Sequence, residues 1–73
     1  MSQEVTAPLS GKIVSVNVQV GESVEEDQDI IVIETMKMET LVYAPCDGTV
    51  REIRVKAGDA VSEDDMLAVI DES

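Results

Sequence analysis

Apolar and polar residues alternate along most of the chain, which is the pattern of β-strands that bury one face. The clearest run spans residues 13–20, where every second position is a valine: Val14, Val16, Val18 and Val20. Shorter apolar segments at 30–33 and 66–70 each follow an acidic loop. No segment repeats apolar residues at three-to-four spacing over enough length for a helix. The pattern therefore predicts an all-β fold.

The chain also repeats itself at a spacing of 37 residues, so that residues 7–34 align with residues 44–71 without a gap. Ten of the 28 aligned pairs are identical, and they include a proline pair and two glycine pairs: Pro8 and Pro45, Gly11 and Gly48, Gly21 and Gly58. Shared hydrophobicity alone would not reproduce these positions, so two copies of one supersecondary unit are expected. Ile13 and its equivalent Val50 fall out of phase with the alternation, which predicts a bulge at the same place in both copies.

Each copy is expected to contain four strands, including short ones near Val5 and Val42. Ala-Pro followed by glycine marks a turn before each long strand, and Gly-Glu or Gly-Asp marks another after it. About eight short strands separated by frequent turns are typical of an antiparallel sandwich or flattened barrel. Because a chain of this length does not divide into two cores, residues 1–73 are expected to form one domain.

The segment at 30–43 has to reverse direction without a usual turn residue. It contains no Gly, Pro, Asn or Asp, and as one strand it would extend roughly 46 Å, beyond the diameter of about 29 Å expected for this domain. The near-palindrome at 34–40 places the reversal at Met36-Lys37. Two-residue hairpin turns favour residues that accept positive φ, such as Asn-Gly. A local rule broken in this way is typical of functional or strained sites, so Lys37 is the candidate functional residue.

Composition narrows the class of function. Sixteen acidic and five basic side chains give a net charge of −11, which argues against binding to nucleic acid or to an anionic membrane. A cytoplasmic location is expected, because the chain has neither a signal-peptide pattern nor an apolar run of about 18 residues. It has no histidine and one cysteine, Cys46, so no metal site is expected. Without a nucleophile–base pair or a glycine-rich phosphate loop, a stand-alone enzyme is not expected either.

The hairpin residues also admit plainer interpretations. A lone lysine at a hairpin tip is ordinarily a solvated charge that protects a strand edge. Met36 and Met38 could fill the core from one face of a strand, and Glu34 and Glu39 could serve only as solubilising charges. From the residues alone, a modified lysine and an unmodified β-sandwich interaction module both stay open.

The segment Met36-Lys37-Met38, preceded by Glu34 and placed between two Ala-Pro-x-x-Gly halves, resembles the biotinyl/lipoyl attachment domains. Within that family it most resembles the biotin carboxyl carrier proteins, over about residues 5–71. The resemblance implies a flattened barrel of two four-stranded sheets related by a quasi-twofold axis. It also implies a modified lysine on an exposed hairpin, at the opposite end from both termini. Thr35 is more typical of lipoyl domains than of biotin carriers, whereas the two methionines favour biotin.

The resemblance further implies that Lys37 bears covalent biotin and acts as a swinging arm for CO2. A biotin protein ligase would attach the cofactor, a biotin carboxylase would load it, and a carboxyltransferase would pass the carboxyl group to an acyl-CoA or a keto acid. Met36 and Met38 would contact the ligase and the partner enzymes, with Glu34, Thr35 and Glu39 flanking them. A lipoyl carrier of a 2-oxoacid dehydrogenase complex is the alternative. In either case the chain is expected to be a carrier and not an enzyme.

Overall fold

The computed structural model describes all 73 residues and contains eight strands and no helix. No element is therefore a helix that could span a membrane. The strands are β1 (Ser2–Thr6), β2 (Gly11–Val16), β3 (Ser23–Val24), β4 (Asp29–Glu34), β5 (Glu39–Tyr43), β6 (Gly48–Ile53), β7 (Ala60–Val61) and β8 (Met66–Glu72). The prediction of an all-β fold with about eight short strands is confirmed.

The strands form two antiparallel four-stranded sheets that pack as a flattened sandwich. One has the order β5-β4-β2-β7 and is called the hairpin sheet, because β4 and β5 are joined by the hairpin at residues 35–38. The other has the order β1-β8-β6-β3 and is called the terminal sheet. The short strand of each repeat pairs with the long strand of the other repeat, β3 with β6 and β7 with β2, so the two repeats interlock.

The internal repeat is a quasi-twofold relation between the two sheets. A shift of 37 residues maps β1 onto β5, β2 onto β6, β3 onto β7 and β4 onto β8. The hydrogen bonds follow the same rule: the Ala44 N–H donates to the Gln28 carbonyl (2.9 Å), as the Ala7 N–H donates to the Asp65 carbonyl (2.8 Å). All positive φ angles also occur in equivalent pairs: Gly21 and Gly58, Asp27 and Asp64. The predicted repeat is therefore a repeat of backbone conformation.

The bulge predicted in the long strand of each copy is present. The register of β2 against β4 shifts between Ile13 and Ser15, and the register of β6 against β8 shifts between Val50 and Glu52. An extra residue in a strand is left unpaired and interrupts the alternation of side chains between the two faces. Ile13, which comes before the shift, is buried, while Val14, which lies within it, is 38% exposed. The core-facing side chains of β2 are thus not the ones that simple alternation from Val14 predicts.

The long strand is also shorter than the predicted run to Val20. β2 ends at Val16, and the side chain of Val20 is 62% exposed. The cause is a tight turn, in which the Glu22 N–H donates to the Gln19 carbonyl (3.0 Å). Val20 lies inside this turn, just before Gly21, whose φ is +91°. The turn therefore leads the chain out of the sheet and leaves the last valine in solvent.

The core between the sheets is almost entirely aliphatic. No polar or charged side chain is buried, and every buried side-chain polar atom has a partner. Burial of these side chains stabilises the domain by roughly 25 cal/mol for each Å² removed from water. Methionine is absent from the core cluster, which consists of Val5, Ala7, Ile13, Val18, Val24, Ile30, Ile31, Ile33, Val42, Ala44, Val50, Val61, Leu67, Ala68 and Ile70.

Candidate functional site

The hairpin between β4 and β5 reverses the chain at Met36 and Lys37, as the sequence predicted. The backbone N–H of Thr35 donates to the carbonyl of Met38 (2.8 Å), and the Thr35 hydroxyl donates to the same oxygen (3.1 Å). Neither turn residue has positive φ. The expected backbone strain is therefore not found, because two donors on Thr35 close the turn without the conformation that Asn-Gly turns use.

The side chains at the tip are exposed. Met36 is 98% and Met38 is 64% exposed, which excludes the interpretation of these methionines as core filler. Lys37 is also exposed, and neither of the two ion pairs of the protein, Arg51–Asp71 and Arg54–Glu52, involves it. The amine of Lys37 thus stands at the end of the sandwich with no partner to displace.

Two glutamates form the last cross-strand pair of β4 and β5 before the turn. Glu34 and Glu39 are directly paired across β4 and β5, and both are exposed. Like charges at directly opposite positions destabilise a sheet by up to about 1 kcal/mol. On the β2 side of β4, Lys12 is the residue directly opposite Glu34 in the strand register. A shallow groove runs along this side of the hairpin and is lined by Ser10, Gly11, Lys12, Glu34, Thr35, Met36 and Lys37.

Gly11 has a role at the base of the hairpin that sequence reasoning missed. It was interpreted as a turn residue, but it lies in β2 against the end of β4. A Cβ at this position would lie 2.5 Å from the carbonyl oxygen of Glu34 and 2.7 Å from Cγ2 of Ile33. Only glycine therefore allows β2 to pack against β4 where that strand enters the hairpin. The signal was available, because a glycine conserved in both halves of an internal repeat needs a structural reason.

The chain termini lie at the opposite end of the sandwich from Lys37. β5 leads away from the hairpin to Tyr43, and the chain then continues to Gly48, which pairs with Glu72. The Glu72 N–H in turn donates to the carbonyl of Met1 (2.8 Å). Because the long axis of the molecule measures 36 Å against 17 Å for the others, this arrangement separates the tip of the hairpin from both chain ends.

Replacing Thr35 with valine is expected to loosen the hairpin at a small cost to the domain. Valine keeps the branched shape but removes the hydroxyl that donates to the Met38 carbonyl. A hydrogen bond of this kind contributes about 0.5–1.5 kcal/mol, so the free energy of unfolding should fall by about 0.5 kcal/mol at this exposed position. Amide hydrogen exchange at residue 35 should accelerate, while exchange in β8 should not. Thr35→Ser keeps the hydroxyl and is the control; equal exchange in the two variants would contradict the role given to it.

Cys46 lies at the opposite end from the hairpin, half-buried and packed against the core. Burial raises the pKa of the Cys46 thiol, and the nearby carboxylates of Glu72, Asp47 and Glu26 raise it further. Because the thiolate is the reactive form, Cys46 is expected to be inert at neutral pH.

Alkylation of Cys46 by iodoacetamide should therefore be several-fold slower in the folded protein than in urea at pH 7.5. A raised pKa means less thiolate at any pH below it. As the pH is raised, the alkylation rate of the folded protein should therefore still be increasing at a pH where the rate of the unfolded chain has reached its plateau. Asp47→Asn removes one of the carboxylates that raise the pKa while keeping an oxygen that can accept the Glu26 N–H (2.7 Å). This variant should react faster than the wild type; an unchanged rate would contradict the electrostatic contribution.

The sequence matches the family model described as "Biotin-requiring enzyme" over residues 1–70. No curated protein matches the chain. The urea carboxylase of Kluyveromyces lactis contains a similar fold, with 34% identity, a TM-score of 0.89 and 96% of this chain covered. A single-chain, multi-domain long-chain acyl-CoA carboxylase contains another, with 26% identity, a TM-score of 0.92 and 99% of this chain covered.

A third similar structure is the lipoyl domain of the 2-oxoglutarate dehydrogenase complex from Azotobacter vinelandii. It is 31% identical, with a TM-score of 0.79, and the alignment covers 94% of this chain and 95% of that domain. By contrast, the chain spans only 6% of the urea carboxylase and 7% of the acyl-CoA carboxylase. Since the family model extends over nearly the whole sequence, and the sandwich with its exposed lysine hairpin agrees with it, the chain belongs to the biotin/lipoyl attachment domain family.

Proposed function

We propose that the chain is a biotin carboxyl carrier, in which Lys37 bears biotin and presents it first to a biotin carboxylase and then to a carboxyltransferase. The observation that carries this proposal is the tip of the hairpin. An exposed lysine without an ion pair lies between two exposed methionines, at the end of a rigid sandwich. An acyl-CoA or a keto acid would be the final acceptor of the carboxyl group.

The hairpin fits a covalently attached group. In the attachment step the amine of Lys37 attacks the carbonyl carbon of biotinyl-adenylate, AMP leaves, an amide bond forms and the proton passes to solvent. Nothing in the structure competes for the amine, because Lys37 takes part in no ion pair or side-chain hydrogen bond. When bound, biotin supplies a ureido nitrogen that accepts and releases a carboxyl group.

The fold positions the lysine arm and supplies no catalytic group. The turn closed by Thr35 keeps the base of the arm fixed on the sandwich, while the lysine side chain itself is free to rotate. A tether of this kind raises the local concentration of the attached group at every site within its reach. Such a carrier needs no catalytic residues of its own, and the partner enzymes provide them.

The residues beside Lys37 are proposed to be recognised by the ligase and the partner enzymes. Met36 and Met38 offer flexible, polarizable apolar contacts that adapt to more than one surface. Glu34 and Glu39 place two like charges directly opposite one another, which does not favour the sheet, so a contact with basic groups on a partner explains the pair better than stability does.

Two observations support biotin over lipoate as the attached group. Methionine on both sides of the lysine is typical of biotin carriers, and two of the similar structures described above are carboxylases. A lipoyl carrier is the second candidate, favoured by Thr35 and by the likeness to a lipoyl domain over almost its full length. An unmodified interaction module is the third possibility, and it predicts no attachment at all.

The test is to express the chain with a biotin protein ligase and biotin, and separately with a lipoate ligase and lipoate, and to measure the intact mass. A single biotinyl increment with the first ligase, and none with the second, is the expected result. A lipoyl increment alone would move the protein to the 2-oxoacid dehydrogenase complexes. If a folded sample receives neither group, the carrier proposal is wrong and the interaction module takes its place.

A further inference from the structure

An apolar patch covers the outer face of the hairpin sheet. Val32 and Leu41 are paired across β4 and β5 and point outward, because the flanking side chains of β4 are buried in the core. Leu41 is 42% exposed and Tyr43, the only aromatic residue of the chain, is 51% exposed. The bulge in β2 adds Val14, which is 38% exposed. These four residues, Val14, Val32, Leu41 and Tyr43, are called the outer patch.

The quasi-twofold relation provides a comparison within the same molecule. On the terminal sheet, 37 residues away, the positions equivalent to the outer patch hold Arg51, Val69, Glu4 and Thr6. The equivalent strands, and the equivalent bulges in β2 and β6, make the two outer faces alike in backbone. Folding therefore tolerates polar residues at three of these four positions. Since the apolar choice on the hairpin sheet is not required by the fold, it calls for another explanation.

A second copy of this chain is a poor occupant for the outer patch. Two copies, each with a net charge of −11, repel one another. Carboxylates also bound the patch at both ends, because Glu34 and Glu39 follow it toward the hairpin and Asp29 pairs with Tyr43 at the other end. An apolar centre inside an acidic rim is complementary to a protein surface with an apolar centre and a basic rim.

The position of the patch indicates a partner that also receives the Lys37 arm. β4 and β5, which carry most of the patch, are the two strands that the Lys37 hairpin joins. Leu41 is four residues from Lys37, about 13 Å along an extended strand. An enzyme that takes the arm into its active site and also contacts the side of the carrier would cover this face. Tyrosine is also one of the residue types that most often dominate the binding energy of an interface, and Tyr43 is 51% exposed on this face.

We propose that the outer patch is the docking surface for the biotin carboxylase that receives the Lys37 arm. That enzyme presents an apolar centre with basic side chains around it. This inference rests on the proposed function and adds the surface by which the carrier is recognised, apart from the hairpin itself. The terminal sheet, with charged residues at the equivalent positions, takes no part in the docking.

The test uses Leu41→Glu, which copies the residue that the terminal sheet holds at the equivalent position, Glu4. Thr6→Glu is the matched control, because it adds the same charge to an exposed position on the terminal sheet. Each protein is biotinylated and its intact mass is checked. Carboxylation is then measured with a purified biotin carboxylase that shows saturation with the wild-type carrier. Leu41→Glu should raise the KM for the carrier at least tenfold and change kcat less than about twofold, while Thr6→Glu should change neither.

Each other outcome has a definite meaning. Equal KM values for the wild type and Leu41→Glu, or a loss confined to kcat, would overturn the docking surface while leaving the carrier function intact. A wild type that is dimeric in sedimentation and becomes monomeric in Leu41→Glu would assign the patch to a second copy and overturn the proposal. Failure of the wild type to accept biotin would refute the biotin carrier function itself. Tyr43→Thr, which copies Thr6, repeats the test if Leu41→Glu lowers the Tm.

Discussion

Replacing Lys37 with arginine is expected to abolish attachment of biotin completely while leaving the fold unchanged. Arginine keeps the length and the charge of the side chain, but its guanidinium stays protonated and cannot act as the nucleophile in the acyl transfer. The position is exposed and makes no ion pair, so the Tm should move by less than about 2 °C, in line with surface substitutions of under about 0.5 kcal/mol. Intact mass after co-expression with the ligase measures the first effect, and thermal unfolding measures the second.

The chain offers matched controls, since it contains only two other lysines, Lys12 and Lys56. Lys12 is the more demanding of the two, because it lies in the groove beside the hairpin. Lys12→Arg and Lys56→Arg should both accept one biotinyl group. If Lys37→Arg still gains the increment, and peptide mapping places it on Lys12, the attachment site has been assigned to the wrong lysine.

Replacing Gly48 with alanine is expected to be the most destabilising small substitution in the domain. A Cβ on Gly48 would collide with the carbonyl oxygen of Asp71 and lie 2.8 Å from its carbonyl carbon. The obstacle is backbone in β8, at the centre of the terminal sheet, so relief requires the separation of two paired strands. The cost should reach about 3 kcal/mol, out of a total stability of roughly 4–11 kcal/mol for a domain of this length. Thermal unfolding should show a Tm lower by at least about 12 °C.

Gly58→Ala is the control for Gly48→Ala, because it tests the cost of the backbone conformation without a steric clash. Gly58 has a φ of +98°, and no atom lies within 4 Å of a Cβ built there. The Gly58→Ala substitution should therefore lower the free energy of unfolding only by the cost of the left-handed backbone conformation, about 1–2 kcal/mol. A Tm for Gly48→Ala equal to or above that of Gly58→Ala would show that β6 and β8 can separate more easily than their packing indicates.

Much of the fold follows from the sequence because the repeat makes each signal appear twice. A single out-of-phase Ile13 is weak support for a bulge, but its recurrence at Val50 identified the correct place in both strands. The position of the hairpin came from a different argument, since a segment without turn residues is too long to cross the domain. Its centre at Met36 and Lys37 then followed from the symmetry of the flanking residues. These inferences depend on spacing and chain length, which a sequence records directly.

Features that depend on contacts between distant segments could not be obtained in this way. Gly11 was interpreted as a turn residue, although its role is to let β2 approach the end of β4 closely. Val20 continues the alternation but lies in a turn, and that turn is held to the distant strand β6, where the Gly21 N–H donates to the Val50 carbonyl (2.7 Å). The outer patch was missed for the same reason, as the bulge reverses the side on which Val14 lies. In each case the residue type is compatible with two environments, and only the tertiary arrangement selects one.

The exchange of short strands between the repeats has a consequence for how the domain folds. Each sheet takes two of its four strands from each repeat: β5 and β7 lie at the edges of the pair β4-β2, and β1 and β3 lie at the edges of the pair β8-β6. Neither half can therefore complete a sheet before the other is present. Folding therefore requires the closure of long loops before most contacts form, which places the domain among slow, high-contact-order folders. The same dependence makes unfolding all-or-none, so partial opening of one repeat is not a low-energy motion. Protease resistance and hydrogen exchange should accordingly be similar in the two halves.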